Sequence, residues 1–259
     1  MPAAGGSVSF DRAAGFYDAT RLTDDAALGR ILSLLQRELS GRALEIGVGT
    51  GQLAVPLAAR GVPVTGLDLS PAMLAQLRDK PGGGDLPLVN GDAARLPFAD
   101  ASFAGAYARW VLHLIPDWEG ALDELIRVVG PDGTIAIEPG GVSGVYRDLF
   151  ERFREILGDV VMPPGMAPLD RDARLDDAMR ARGWACVRTE QVVYDRTHTL
   201  REYFDGLPRR EMSWTWRVPD PDLEAATAQV RAWAEARADL DEVQPELPTT
   251  WHVFRRSAA

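Results

Sequence analysis

The chain has one cysteine, Cys186, and one lysine, Lys80, among 259 residues. A single cysteine excludes an internal disulfide framework and suits a reducing compartment. Basic residues are in deficit: 28 Lys and Arg stand against 38 Asp and Glu, a formal charge of −10. That balance argues against a nucleic-acid backbone or an anionic membrane as the main partner. No uncharged apolar run is long enough to span a bilayer, and Met1 to Ser9 carries neither a basic nor an apolar leader. No cluster of His, Cys and acids is evident as a metal site, so metal-independent chemistry is expected. These absences point to a soluble cytoplasmic protein, monomer or homodimer, whose partner is a small molecule rather than nucleic acid or membrane.

Hydrophobic content of 46% with 25% charged residues is ordinary for a globular protein. The length suits one large α/β domain, or a domain with an appended cap. The stretch Ala43 to Leu53 organises the rest. A short apolar run ends in an acid, three glycines alternate, and an apolar helical pattern begins. This reads as a buried parallel strand, a tight turn and a helix N-terminus, which offer bare main chain and unpaired N–H groups to a ligand. A dinucleotide fingerprint needs its third small residue at position 52. That position is Gln52, and the third glycine, Gly51, comes one residue earlier.

The pattern E-x-G-x-G-x-G resembles motif I of the class I S-adenosylmethionine-dependent methyltransferases. The resemblance implies that Glu45 supports the loop, and that Gly47, Gly49 and Gly51 contact the methionine half of S-adenosyl-L-methionine. Val62 to Leu67 reads as the second strand, with Asp68 at the end where an acid meets ribose hydroxyls in such sheets. Ser70 and Pro71 supply the N-cap and first position of the next helix. That leaves Asp68 for the ribose, with Leu69 and Met73 flanking the adenine; helix capping and plain core packing are the alternatives. Leu86 to Asn90 reads as the third strand. The following Gly91-Asp92-Ala93, Leu96-Pro97-Phe98 and Asp100 to Phe103 are similar to the family's next signature, in which Asp92 accepts from the adenine amino group and the Ala93 N–H donates to the ring. Asp92 could instead simply close a turn after Gly91.

A fourth strand, Phe103 to about Ala108, leads into Arg109 to Trp118 at the crevice where substrates bind in such folds. The Asn/Asp-Pro-Pro-aromatic motif of amine methyltransferases is missing there, as is a cysteine after the strand. One lysine cannot complete a lysine-based ribose tetrad. Leu112 to Asp117 is similar instead to a segment of the small-molecule methyltransferases related to ubiquinone/menaquinone-biosynthesis enzymes. His113 is a candidate general base or a packed structural residue. Arg109 either holds a substrate anion or the cofactor carboxylate, or pairs with an acid. Glu138, ending a fifth strand from Thr134, is a second candidate acid or base. Tyr17 and Arg21 fall in a "YD" segment like one that folds over the cofactor in that group, so they belong to a lid or to a solvated arm.

The expected fold is α/β and Rossmann-like, of the class I methyltransferase type. It has a seven-stranded, mostly parallel sheet with the last strand antiparallel, helices on both faces, and a helical cap. The expected division is an N-terminal lid and helix (1–42), a cofactor-binding core (43–139), a cap insertion (140–170), a return to the core (171–198), a second cap insertion (199–247) and a last strand (248–259). Aromatics in the insertions, among them Tyr203, Phe204, Trp214 and Trp216, suit an apolar or aromatic acceptor or else form the cap's own core. The expected reaction is in-line transfer of the sulfonium methyl to a small-molecule acceptor, with O-, N- and C-methylation open. Two rivals stand: a protein of this fold that binds S-adenosylmethionine without transferring methyl, as a cyclase or sensor, and a nicotinamide oxidoreductase, against which Gln52 counts.

Overall fold

A computed structural model describes residues 6–257 apart from 22, 143, 195–197 and 245–247. The expected insertion boundary at Leu247 and the first five residues of the Met1–Ser9 segment lie outside the described residues.

In chain order the elements are α1 (Tyr17–Arg21), α2 (Asp25–Glu38), β1 (Ala43–Ile46), α3 (Ala54–Ala59), β2 (Val64–Asp68), α4 (Pro71–Arg78), β3 (Leu88–Asn90), β4 (Gly105–Arg109) and α5 (Trp118–Val129). There follow β5 (Thr134–Glu138), α6 (Gly144–Leu157), α7 (Arg171–Ala181), β6 (Trp184–Val192), β7 (His198–Thr199), α8 (Leu200–Gly206), α9 (Asp220–Glu235), β8 (Val243–Gln244) and β9 (Thr249–Arg256). Seven strands form one sheet in the order β3-β2-β1-β4-β5-β9-β6; β9 runs antiparallel to both neighbours, and the pairs from β3 to β5 are parallel. The small pair β7 and β8 stands apart.

Alternation along the strands builds two cores. Leu44, Ile46, Ala106, Ala108, Ile135 and Ile137 pack on the α5 and α7 side. Ala43, Val64, Tyr107, Ala136 and Val253 pack on the α2, α3 and α4 side. A side-chain period of two along buried strands divides the residues in this way. Helix starts follow the polar signals: Asp24 accepts from the Ala27 N–H at 2.8 Å, and Ser70 caps α4 ahead of Pro71.

The segments after β5 form a core of their own. Leu149 and Phe153 of α6, Leu200 and Phe204 of α8, and Val230 of α9 share one apolar cluster, with Tyr203 and Trp214 packed against it. Tyr203 and Phe204 therefore serve the internal packing of this helical layer. The N-terminal segment is not a solvated arm. Asp11 accepts from the Ser70 hydroxyl at 2.5 Å and the Ala72 N–H at 3.2 Å, and the Val8 N–H donates to the Leu114 carbonyl at 3.0 Å. No helix among the described residues is long and apolar enough to cross a membrane.

Candidate active site

The C-terminal ends of β1, β2 and β4 open onto one cavity, lined among others by Gly47, Asp68 and Arg109. Gly47 sits on its wall at φ +67°, where a Cβ would lie 2.7 Å from Val111 Cγ2. A left-handed backbone and this close approach both require glycine. The next turn is strapped to β2: Asp68 Oδ2 accepts from the Gly49 N–H and Oδ1 from the Ser70 N–H, each at 2.8 Å. Asp68 is thus not free, as the capping argument implied. It holds the two loops together and still faces the cavity, with lone pairs left on both oxygens. Burial pushes its pKa up, and the Ser70 and Gly49 N–H groups offset part of that rise.

Leu69, Met73, Asp92 and Ala93 line the same cavity. Asp92 also closes a turn, accepting from the Ala94 N–H at 3.0 Å, and it accepts from the Ser7 hydroxyl at 3.1 Å. Ser7, Val8 and Phe10 complete the wall beside Tyr17. Of these four, the sequence pointed only to Tyr17, because the segment has no periodicity that says which side faces inward.

Beyond the glycine turn lies an adjoining hollow lined by Glu45, Gln52, Arg109 and Trp110 among others. Glu45 Oε2 is buried without a hydrogen-bond partner, and burial pushes the carboxyl pKa up to about 8. Arg109 is fixed on three sides. Nε donates to Glu138 Oε2 at 3.1 Å, Nη1 to Thr23 Oγ1 at 2.7 Å and Nη2 to the Tyr194 hydroxyl at 2.9 Å. Its guanidinium stacks 3.8 Å from the Trp110 ring centroid. Five N–H donors minus three bonds leaves two for a ligand. Trp110 itself has φ +55°, rare for a bulky residue and typical of strained functional sites. Its backbone N–H donates to the Glu138 carbonyl at 3.0 Å and its indole to Glu138 Oε1 at 2.6 Å.

Four expected site residues sit elsewhere. Glu138 is absent from the cavity wall; opposite Arg109 in the β4–β5 register, it spends its oxygens on Arg109 and Trp110, so it anchors rather than exchanges protons. His113 belongs to a 3₁₀ turn (Leu112–Leu114) whose Leu114 reaches the cavity while His113 does not. Burial, with the Arg171 charge adding, lowers its pKa to about 3, so the ring is neutral and packed. Gly51 also lies off the wall: a Cβ there would lie 2.8 Å from Leu77 Cγ, so it serves loop-to-α4 packing. Arg21 points at the second insertion, donating to the Glu211 carbonyl at 2.8 Å.

The family model described as "Methyltransferase domain" matches residues 44–137, the strands and loops that build this cavity. A demethylmenaquinone methyltransferase from Thermus thermophilus is 34% identical over 184 residues, covering 64% of this chain and 83% of that protein. The chain belongs to the class I S-adenosylmethionine-dependent methyltransferases. A phosphatidylethanolamine N-methyltransferase from Cereibacter sphaeroides is 36% identical over 128 residues, 46% of this methyltransferase and 62% of that protein. Among solved structures, a Haemonchus contortus phosphoethanolamine N-methyltransferase in complex with S-adenosylhomocysteine superposes with a TM-score of 0.55 at 17% identity, over 96% of this chain and 58% of that one. At that identity the likeness is one of fold.

The cavity of this methyltransferase fits S-adenosylmethionine on its own geometry. Bare main chain at Gly47 and two acids on the wall, with an unpartnered buried carboxyl oxygen at Glu45 in the adjoining hollow, match a ligand that is apolar in its ring and polar at ribose and amino-acid ends.

Proposed function

We propose that this methyltransferase acts on a small, apolar or aromatic acceptor. In this reading Asp68 holds the ribose hydroxyls, Asp92 and the Ala93 N–H meet the adenine edge, and Leu69 and Met73 flank its faces. Glu45 and the two remaining Arg109 donors take the ammonium and carboxylate of the amino-acid end. S-adenosylmethionine supplies an activated sulfonium methyl. The protein supplies alignment and exclusion of water.

The observation that carries the acceptor class is the apolar part of the cavity lining: Val8, Phe10, Trp110, Val111, Leu114 and Ile115. The titratable wall residues are Tyr17, Asp68, Asp92 and Arg109, and the last three are spoken for by the cofactor. The acceptor therefore arrives as a nucleophile that needs no carboxylate or imidazole base. The helical layer of α6, α8 and α9 closes the acceptor side as a cap, joined to the cavity wall through Phe10, whose ring meets Trp216 edge-on at 4.8 Å.

The test is turnover. S-adenosylhomocysteine release is measured with reduced demethylmenaquinone analogues first, as the Thermus relative's name suggests, then with small phenols and with amines. Release with apolar aromatic acceptors alone supports the proposal. Release only with charged amines, or micromolar cofactor binding without turnover on any acceptor, overturns it.

A further inference from the structure

The chain's single cysteine lies beside one of its three histidines, at the β6–β9 edge of the sheet. Cys186 of β6 pairs with Phe254 of β9. His252, two residues along β9 on the same face, is its diagonal neighbour, and Cys186 Sγ lies 3.9 Å from His252 Nδ1. Asp172 and Asp176, four residues apart on α7, share one helix face and reach the same ring from both sides. Asp176 Oδ1 is 3.0 Å from Nδ1, and Asp172 Oδ1 is 3.2 Å from Nε2. The imidazole is 4% exposed, and its Nε2 is buried without hydrogen-bond geometry to any partner.

We propose that Cys186, His252 and Asp176 form a binding site for a zinc-class divalent cation that clips α7 to the sheet edge. Their donor atoms lie within 4.8 Å of one another. A tetrahedral ion with about 2.3 Å to a thiolate and about 2.0 Å to nitrogen or oxygen spaces sulfur from nitrogen by roughly 3.5 Å, and nitrogen from oxygen by roughly 3.3 Å. The sulfur–nitrogen separation of 3.9 Å and the nitrogen–oxygen separation of 3.0 Å each lie within about half an ångström of those values, so side-chain rotations bring the donors to the ion. Thiolate, imidazole and carboxylate together select zinc over magnesium or calcium. Asp172, on the far nitrogen, is placed as the carboxylate that orients a metal-bound histidine. Binding displaces the thiol proton to solvent, and a water completes the fourth position on the side where Asp176 is 30% exposed. The sequence hid this site because its ligands come from three separated elements. His252 on β9 and Cys186 on β6 lie three and four strands from β1, away from the cavity.

Full-length protein, stripped with a chelator, is titrated with Zn²⁺ by calorimetry and with Co²⁺ by absorption. One equivalent bound at micromolar affinity or tighter is expected, with a thiolate-to-cobalt charge-transfer band. Cys186→Ser and His252→Asn should each remove that band and weaken zinc binding at least tenfold, with S-adenosylhomocysteine affinity unchanged as the check that the cofactor half is folded. Absence of stoichiometric binding, or a band that survives in Cys186→Ser, overturns the proposal and leaves a histidine ion-paired with two aspartates.

Discussion

The two sides of the cavity are made differently. The side toward the glycine turn is made of main chain: Gly47 in a left-handed conformation, the Gly49 N–H on Asp68, and the turn Asp92 closes. The apolar part of the lining is made of side chains from separate segments, with Phe10, Trp110, Leu114 and Ile115 brought together by tertiary packing. Main-chain geometry forces a residue type at each position, whereas an apolar wall asks only for bulk. The matched relatives' printed names differ in acceptor, demethylmenaquinone in one and phosphatidylethanolamine in the other.

The largest effect should come from the main-chain side. Gly47→Ala meets a left-handed penalty of about 1–2 kcal/mol and overpacking against Val111 of about 1–3 kcal/mol. S-adenosylhomocysteine binding measured by calorimetry should fall beyond detection, and retained micromolar affinity would break the contrast. Asp68→Ala comes next: unpairing two backbone N–H groups costs roughly 1–3 kcal/mol each, so affinity should drop at least tenfold.

Glu45→Gln sharpens the picture through pH. The folded pKa of about 8 lies above the ordinary 4.5, so the unliganded protein binds a proton that the unfolded chain lacks. Its stability should therefore fall as pH rises from 4.5 to 8. If the ligand's ammonium ionises Glu45, cofactor binding at pH 7 releases close to one proton. Calorimetry in two buffers of different ionisation heat reads that proton, and Glu45→Gln should abolish it. The smallest effect belongs to His113→Leu. With a folded pKa near 3, below its ordinary 6.5, the neutral ring lends stability above pH 6.5 that is lost on acidification toward pH 3. The turnover profile above pH 6 should show no histidine titration, and the variant should keep kcat within about threefold; a hundredfold loss would restore a catalytic role.

The same contrast explains what the sequence disclosed. Gly47, Asp68 and Asp92 come to one cavity wall because spacing along a strand-turn-helix unit places them without reference to the rest of the chain, and the seven-stranded, mostly parallel sheet was legible from the same units. Gly51 falls off the wall and against Leu77 because a glycine can serve ligand approach or helix packing, and spacing does not separate the two. Glu138 and His113 fall outside the cavity wall because residue type announces chemistry but not direction: one faces Arg109 across a strand pair, the other sits within a 3₁₀ turn. The Thr23–Arg109–Tyr194 linkage and the strained Trp110 join residues from separate segments and leave no local pattern.

The most direct measurement is calorimetric titration of S-adenosylhomocysteine into the wild type, Asp68→Ala and Trp216→Ala in parallel. The account expects micromolar affinity in the wild type, at least a tenfold loss in Asp68→Ala, and less than a threefold change in Trp216→Ala, whose ring meets Phe10 from outside the cavity lining. No wild-type binding, or a larger loss in Trp216→Ala than in Asp68→Ala, would contradict the placement of the cofactor on the glycine-turn side.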